Sequence, residues 1–160
     1  MKHLPKHLRP RWRYLGVAIE TWPGGALSRG PFQRALWYAA QNLHGDAGSA
    51  AADLTVVRFA HDGTRGAAAV RARRGEVERA RAAVACVDAV DGRAVGLRVR
   101  GVSGTVRACE ERYLQAATGD SEERSVVFED ADRRAFARGA DVDVETPAGF
   151  VGAAELDFPD

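Results

Sequence analysis

The chain has 160 residues, 46% of them apolar and 28% charged, the profile of one folded domain of about 100–150 residues with chain to spare. No apolar run reaches the roughly 18 residues of a membrane-spanning helix, and no apolar segment follows the basic N-terminus as a secretory signal would require. The near-neutral charge conceals an asymmetry: residues 1–113 carry 19 Lys/Arg and 10 Asp/Glu, a balance of +9, and residues 114–160 carry 4 and 12, a balance of −8.

Lys2 to Arg13, with Pro5 and Pro10, reads as a basic arm in which Arg9, Arg11, Trp12 and Arg13 either wrap RNA or tether the arm to the domain. Tyr14 to Thr21 alternates as a half-buried strand, with Leu15, Val17 and Ile19 on one face. Trp22 to Gly30 is a Gly/Pro loop, and Phe32, Ala35, Leu36, Ala39, Ala40 and Leu43 recur at helical spacing until Gly45 and Gly48 end the helix. Leu54 to His61 and Ala67 to Arg74 form a hairpin across Asp62-Gly63, with Leu54, Val56 and Arg58 alternating against Thr55, Val57 and Phe59. Glu76 to Val87 is a second helix, Asp91-Gly92 a turn, Val95 to Arg100 a fourth strand and Thr105 to Leu114 a short helix with Arg107 and Glu111 spaced to pair. The order predicts an α+β, ferredoxin-like or RRM-like βαββαβ sandwich: a four-stranded antiparallel sheet with two helices on one face and an extra C-terminal helix. This gives a domain over 1–115. Residues 116–160 are an acidic extension, partly ordered or disordered, with short strands at Val126–Phe128 and Asp141–Glu145.

The sequence is poor in catalytic groupings. His3 and His7 sit among cations that oppose a metal, so no metal site is expected. Cys86 and Cys109 lack CxxC spacing, exclude a disulfide scaffold and fit buried thiols in a reducing cytoplasm. No phosphate-binding loop or nucleophile elbow is present.

RNA contact is better supported. All cations except Lys2 and Lys6 are Arg, whose planar fork grips phosphate and stacks on bases. If Val70, Ala72, Val95, Leu97 and Val99 face the helices, then Arg71, Arg73, Arg98 and Arg100 share the open face, with Arg74 beside them. Strand three lacks aromatics and strand one offers only Tyr14, so phosphate contact is expected rather than base stacking. In Arg98-Val99-Arg100-Gly101-Val102-Ser103-Gly104-Thr105-Val106-Arg107, two readings stand side by side. Either Ser103, Gly104 and Thr105 present amides to a phosphate flanked by Arg100 and Arg107, or Ser103 or Thr105 simply caps the helix. Trp22, Trp37 and Tyr38 are candidates for a protein interface.

Gly101-Val102-Ser103-Gly104-Thr105-Val106-Arg107 running on to Arg112-Tyr113 resembles the archaeal ribonuclease P protein component 2 family. So do Leu4-Pro5, Leu8-Arg9, Arg13-Tyr14-Leu15, the helix end Ala39 to Gly48, and Val70-Arg71-Ala72-Arg73. The match runs over about residues 4–113, and the arginine-biased, acid-tailed style is similar to halophilic members. The resemblance implies a subunit of the ribonucleoprotein endonuclease that removes 5′ leaders from precursor tRNA. The RNA subunit would carry catalysis with Mg²⁺, and the protein would bind no cofactor and order the RNA. It would pair with ribonuclease P protein component 3, and two such pairs could join through component 2 into a heterotetramer. The setting would be cytoplasmic, with no membrane.

Overall fold

A computed structural model describes residues 4–115, 121–154 and 157–158. The chain opens with a 3-10 turn, Lys6–Leu8, and runs into strand β1, Trp12–Thr21. β1 therefore begins two residues earlier than the alternation suggests, which removes Trp12 and Arg13 from the arm. Helix α1, Arg29–Ala52, follows. Gly45 does interrupt it, at φ 72° and ψ 175°, but the chain resumes helical geometry afterwards and ends where Asp53, left-handed at φ 49°, donates its N–H to Ser49 O at 3.0 Å. Gly48 sits inside this second part of α1, so only one of the two glycines breaks the helix.

Strands β2, Thr55–His61, and β3, Arg65–Arg73, form the expected hairpin. Asp62 Oδ1 accepts the N–H groups of Thr64 and Arg65 and the Thr64 hydroxyl, which fixes the turn. The simple alternation of β2 fails at a bulge between Val56 and Arg58. Beyond it, Phe59 points into the core, 5.2 Å from Phe32, and Arg58 moves to the opposite face. Helix α2, Val77–Ala85, leads to a two-residue strand β4, Ala89–Val90, that pairs across the Asp91-Gly92 turn with β5, Arg93–Ser103. The first sheet is thus five-stranded, in the order β2-β3-β1-β5-β4, with every pairing antiparallel. The expected four-stranded sheet lacked β4 because a two-residue strand has no periodicity to read.

One face of this sheet carries Leu15, Val17, Ile19, Val56, Val70 and Ala72 against Phe32, Leu36, Ala40, Ala80 and Val84 of the two helices, all of them buried. After β5 comes a single α-helical turn α3, Val106–Cys109, that continues as a π-helical turn, Glu110–Leu114.

The acidic region forms a second sheet, beyond the one or two short strands its sequence suggests. Strands β6 (Glu122–Phe128), β7 (Ala131–Arg138), β8 (Asp141–Thr146) and β9 (Gly149–Ala154) make a four-stranded antiparallel meander in chain order. Its small core is Ala135, Val142 and Val144 with Val126, Phe128 and Phe158. The two sheets meet at the C-terminal end of β1. Trp22 stacks on Phe150 with ring centroids 6.1 Å apart, and Arg65 donates to Arg138 O at 3.0 Å. The Arg138 guanidinium, 9% exposed, pairs with Asp143 at 2.9 Å. Burial outweighs this pairing and pushes the Asp143 carboxyl above its ordinary range.

His61 ties the loop after β1 to the β2–β3 hairpin. Its Nδ1 accepts the backbone N–H of Leu27 at 2.9 Å and of Gly63 at 3.2 Å, and its Nε2 lies 3.1 Å from Thr21 Oγ1. An Nδ1 that accepts must be unprotonated. Burial, then the Arg93 charge, holds the ring below its usual value, with Asp62 opposing. A folded-state value below the unfolded one means the stabilisation is complete above about pH 6.5 and is lost as pH falls through the folded-state value. The thermal midpoint should therefore fall between pH 7.5 and 5, and His61→Asn, which keeps an acceptor but does not titrate, should flatten that slope. Equal slopes for the two proteins would exclude His61 as the source.

Candidate nucleic-acid interface

The face of the first sheet away from α1 and α2 has a floor of small residues. In β1 these are Gly16 and Ala18, in β3 Ala67 and Ala69, and in β5 Gly101 opposite Gly16. Ala67 and Ala69 are nevertheless buried, and the π-helical turn packs against β1 and β3 while α3 packs against β1 and β5. Tyr113 is the contact that requires glycine. A Cβ on Gly16 would come within 2.5 Å of Tyr113 Cβ, and one on Gly101 would collide with the Tyr113 ring and hydroxyl. Arg58, brought to this face by the β2 bulge, pairs with Glu110 and ties the same turn to the sheet edge. Cys109, on the inner side of α3, is fully buried, and burial with the neighbouring Glu110 pushes its thiol up to about 11. It is unreactive by that measure. Cys86 is exposed, against the expectation of two buried thiols.

The cover splits the expected arginine face in two. Arg71 and Arg73 stand on β3 opposite Tyr14 and Trp12, at the start of β1. Arg11 and Arg74 adjoin them, joined by the Arg74 N–H to Arg11 O bond of 2.9 Å. Arg9 is exposed and bonds Leu4 O at 2.9 Å, and Arg13 is half-buried and bonds Trp12 O at 3.0 Å. Arg98 lies across β1 opposite Ala18, four residues further along that strand, and Arg100 is the extra residue of the β5 bulge. Both are exposed, and neither makes an ion pair with a described residue.

The segment after β5 resolves toward the capping reading. Thr105 Oγ1 accepts the Ala108 N–H at 3.2 Å, and Arg107 pairs with Glu111 at 2.9 Å as its spacing suggests. Ser103 is 5% exposed, with its Oγ buried opposite Tyr14, so it does not face solvent. Gly104 is open to solvent. A helical piece of four residues supplies little of the dipole that a phosphate cradle needs.

Of the three candidates for a protein interface, Trp22 has an intramolecular partner in Phe150. Trp37 and Tyr38 are 47% and 64% exposed on α1, with Trp37 Nε1 held by Leu54 O at 2.8 Å. Sequence reasoning placed Trp12 in the arm. The signal that finds it is the alternation of Trp12 and Tyr14 with Gly16, Ala18 and Glu20, which continues the strand backward by one period.

Residues 13–114 match the model of the Rpp14/Pop5 family. The chain belongs to that family. The Rpp14/Pop5 segment spans β1 to the π-helical turn and leaves the second sheet outside it. A relative named ribonuclease P protein component 2, from Halorubrum lacusprofundi, is 63% identical over 98% of this chain and 99% of its own length. One of the same name from Methanosarcina mazei is 31% identical over 72% of this chain and 94% of its own length. The alignment with the first relative thus takes in nearly the whole chain, and that with the second about the share that the family segment does. A chain from the cryo-EM structure of yeast ribonuclease MRP aligns at TM-score 0.46 and 15% identity, over 62% of this chain and 79% of that one. No helix among the described residues is long and apolar enough to cross a membrane.

Four substitutions probe the Rpp14/Pop5 face and the cover on it. Gly101→Ala should cost roughly 1–3 kcal/mol by overpacking, and Tyr113→Ala should cancel most of that penalty in a double-mutant cycle read by denaturant unfolding. Arg98→Ala should reduce the slope of log K against log salt for single-stranded RNA by about 0.7, whereas Arg134→Ala on the second sheet should leave it unchanged. A slope insensitive to Arg98 would remove that residue from the interface.

Proposed function

We infer that this chain is the protein component 2 subunit of a ribonuclease P and serves the endonuclease by binding and ordering RNA. The observation that carries the reading is the family match over 13–114 together with near full-length identity of 63% to a relative of that name. The strand order fits the ferredoxin-like plan, with β2-β3-β1-β5 as its four long strands. The arginines left exposed at the two ends of the outer face supply phosphate contacts.

In this reading the RNA subunit cleaves the 5′ leader of precursor tRNA with Mg²⁺, and the protein holds no cofactor. Protein component 3 is the expected neighbour. The exposed Trp37 and Tyr38 on α1 are the surface offered to it or to a second component 2. Phosphate contacts position the RNA without reading its sequence, which suits a subunit that meets one large RNA in one orientation.

Reconstitution tests this directly. Precursor-tRNA cleavage is followed with the cognate RNA subunit and component 3, with and without this chain, at moderate Mg²⁺. Stimulation that needs both proteins is the expected result, with no cleavage by the chain alone. Equal rates with and without it, using partners proven active with another component 2, would favour a general RNA-binding module instead.

A further inference from the structure

Trp12 stands on the outer face at the start of β1. Because β1 starts at Trp12, this indole lies on the sheet rather than in the arm, opposite Arg73 and diagonal to Arg71. Arg71 Cζ is 4.1 Å from the ring centroid and Arg73 Cζ 5.0 Å. At such distances the guanidinium groups are held by the ring quadrupole and by contact with the indole. Arg73 also reaches Asp53 at 3.3 Å. Arg71 makes no hydrogen bond or ion pair with a described residue, and its Nε is buried, so the ring is what orients it. Tyr14 follows Trp12 on the same face, and Arg11 and Arg74 lie alongside, both exposed. The Tyr113 contacts fall on Gly16 and Gly101, beyond Tyr14, and Trp12 and Arg71 stay half-buried.

We propose that Trp12, Arg71 and Arg73 form a site for an unpaired nucleotide of RNA. Its base stacks on the indole–guanidinium layer, and its flanking phosphates are met by Arg11 and Arg74. A pre-oriented guanidinium offers a base a flat, positively charged plane, and only an unstacked base can present its face to it. Phosphate contact alone would need the charges but neither the ring nor their planarity. The proposal rests on the RNA-binding reading above and adds to it the form of RNA that this end of the sheet selects.

The test uses the full chain carrying Trp22→Phe and Trp37→Phe, so that Trp12 is the remaining indole of three. Binding at low salt is measured with a short oligoadenylate, the same oligomer with abasic sites, and a duplex of equal length. Oligoadenylate should quench Trp12 emission, and the other two should not. Arg71→Lys keeps the charge and removes the plane. It should weaken oligoadenylate by about five- to a hundredfold and leave the abasic oligomer unchanged. Trp12→Leu should do the same, with its thermal midpoint measured alongside, and Arg71→Lys decides the matter if that variant does not fold. Three RNAs bound alike, with Arg71→Lys silent, would overturn the stacking site while leaving RNA binding intact. No RNA bound at all would overturn both.

Discussion

Everything on the outer face follows from one side chain lying where no Cβ can be. Tyr113 occupies the space above Gly16 and Gly101, two residues paired across the central strands. That contact brings the turn after β5 back over the sheet, where the π-helical turn packs on β1 and β3. The β2 bulge supports the same arrangement from the edge by directing Arg58 to Glu110. A sheet that would otherwise offer one continuous cationic surface becomes two smaller ones, separated by the cover.

The strands and helices of the first half were legible because apolar residues alternate or recur at three and four, and because Asp62-Gly63 and Asp91-Gly92 mark the turns. What periodicity does not encode was misplaced. A bulge inserts one residue and reverses every later side chain, which is why Arg58 and Phe59 exchanged faces. Gly45 breaks α1 locally, yet six or more helix-competent residues beyond it restart the helix. The small residues at Gly16, Ala18, Ala67, Ala69 and Gly101 were the readable sign that the supposedly open face is covered, since a solvated face has no need of them. In the acidic region, charge content masked a β-meander whose turns lie at Glu129-Asp130, both with positive φ, at Gly139, and between Thr146 and Gly149. Its alternating alanines in β7 are weak signals that become strands only when the neighbouring strands bury them.

The arginine excess also proves divided in purpose. Arg29 donates to Val56 O at 2.9 Å, Arg93 to Trp22 O at 3.0 Å and Arg65 to Arg138 O at 3.0 Å. Each satisfies a carbonyl at a strand end or loop where no ladder partner exists. These cations serve the fold, so the charge balance of the body overstates what remains for a polyanion. Among the candidate RNA residues, Arg98 and Arg100 make no ion pair with a described residue and Arg71 is held by an aromatic ring, whereas Arg9 and Arg13 also bond backbone carbonyls and Arg73 and Arg107 pair with carboxylates.

The second sheet is anchored at Trp22, and the Trp12 ring stands at the other end of the same strand. Ten residues of extended chain separate the two poles by about 30 Å. An acidic body at one end of a rigid strand and a cationic cluster at the other make the molecule a long electric dipole. Near a polyanion such a dipole experiences a torque as well as a pull, and turns its positive pole inward before contact. Screening confines that torque to the last ~10 Å of approach at ordinary ionic strength. The extension therefore need not touch RNA to influence how the chain meets it: by weighting one end with negative charge, it favours encounters in which the Trp12 end arrives first.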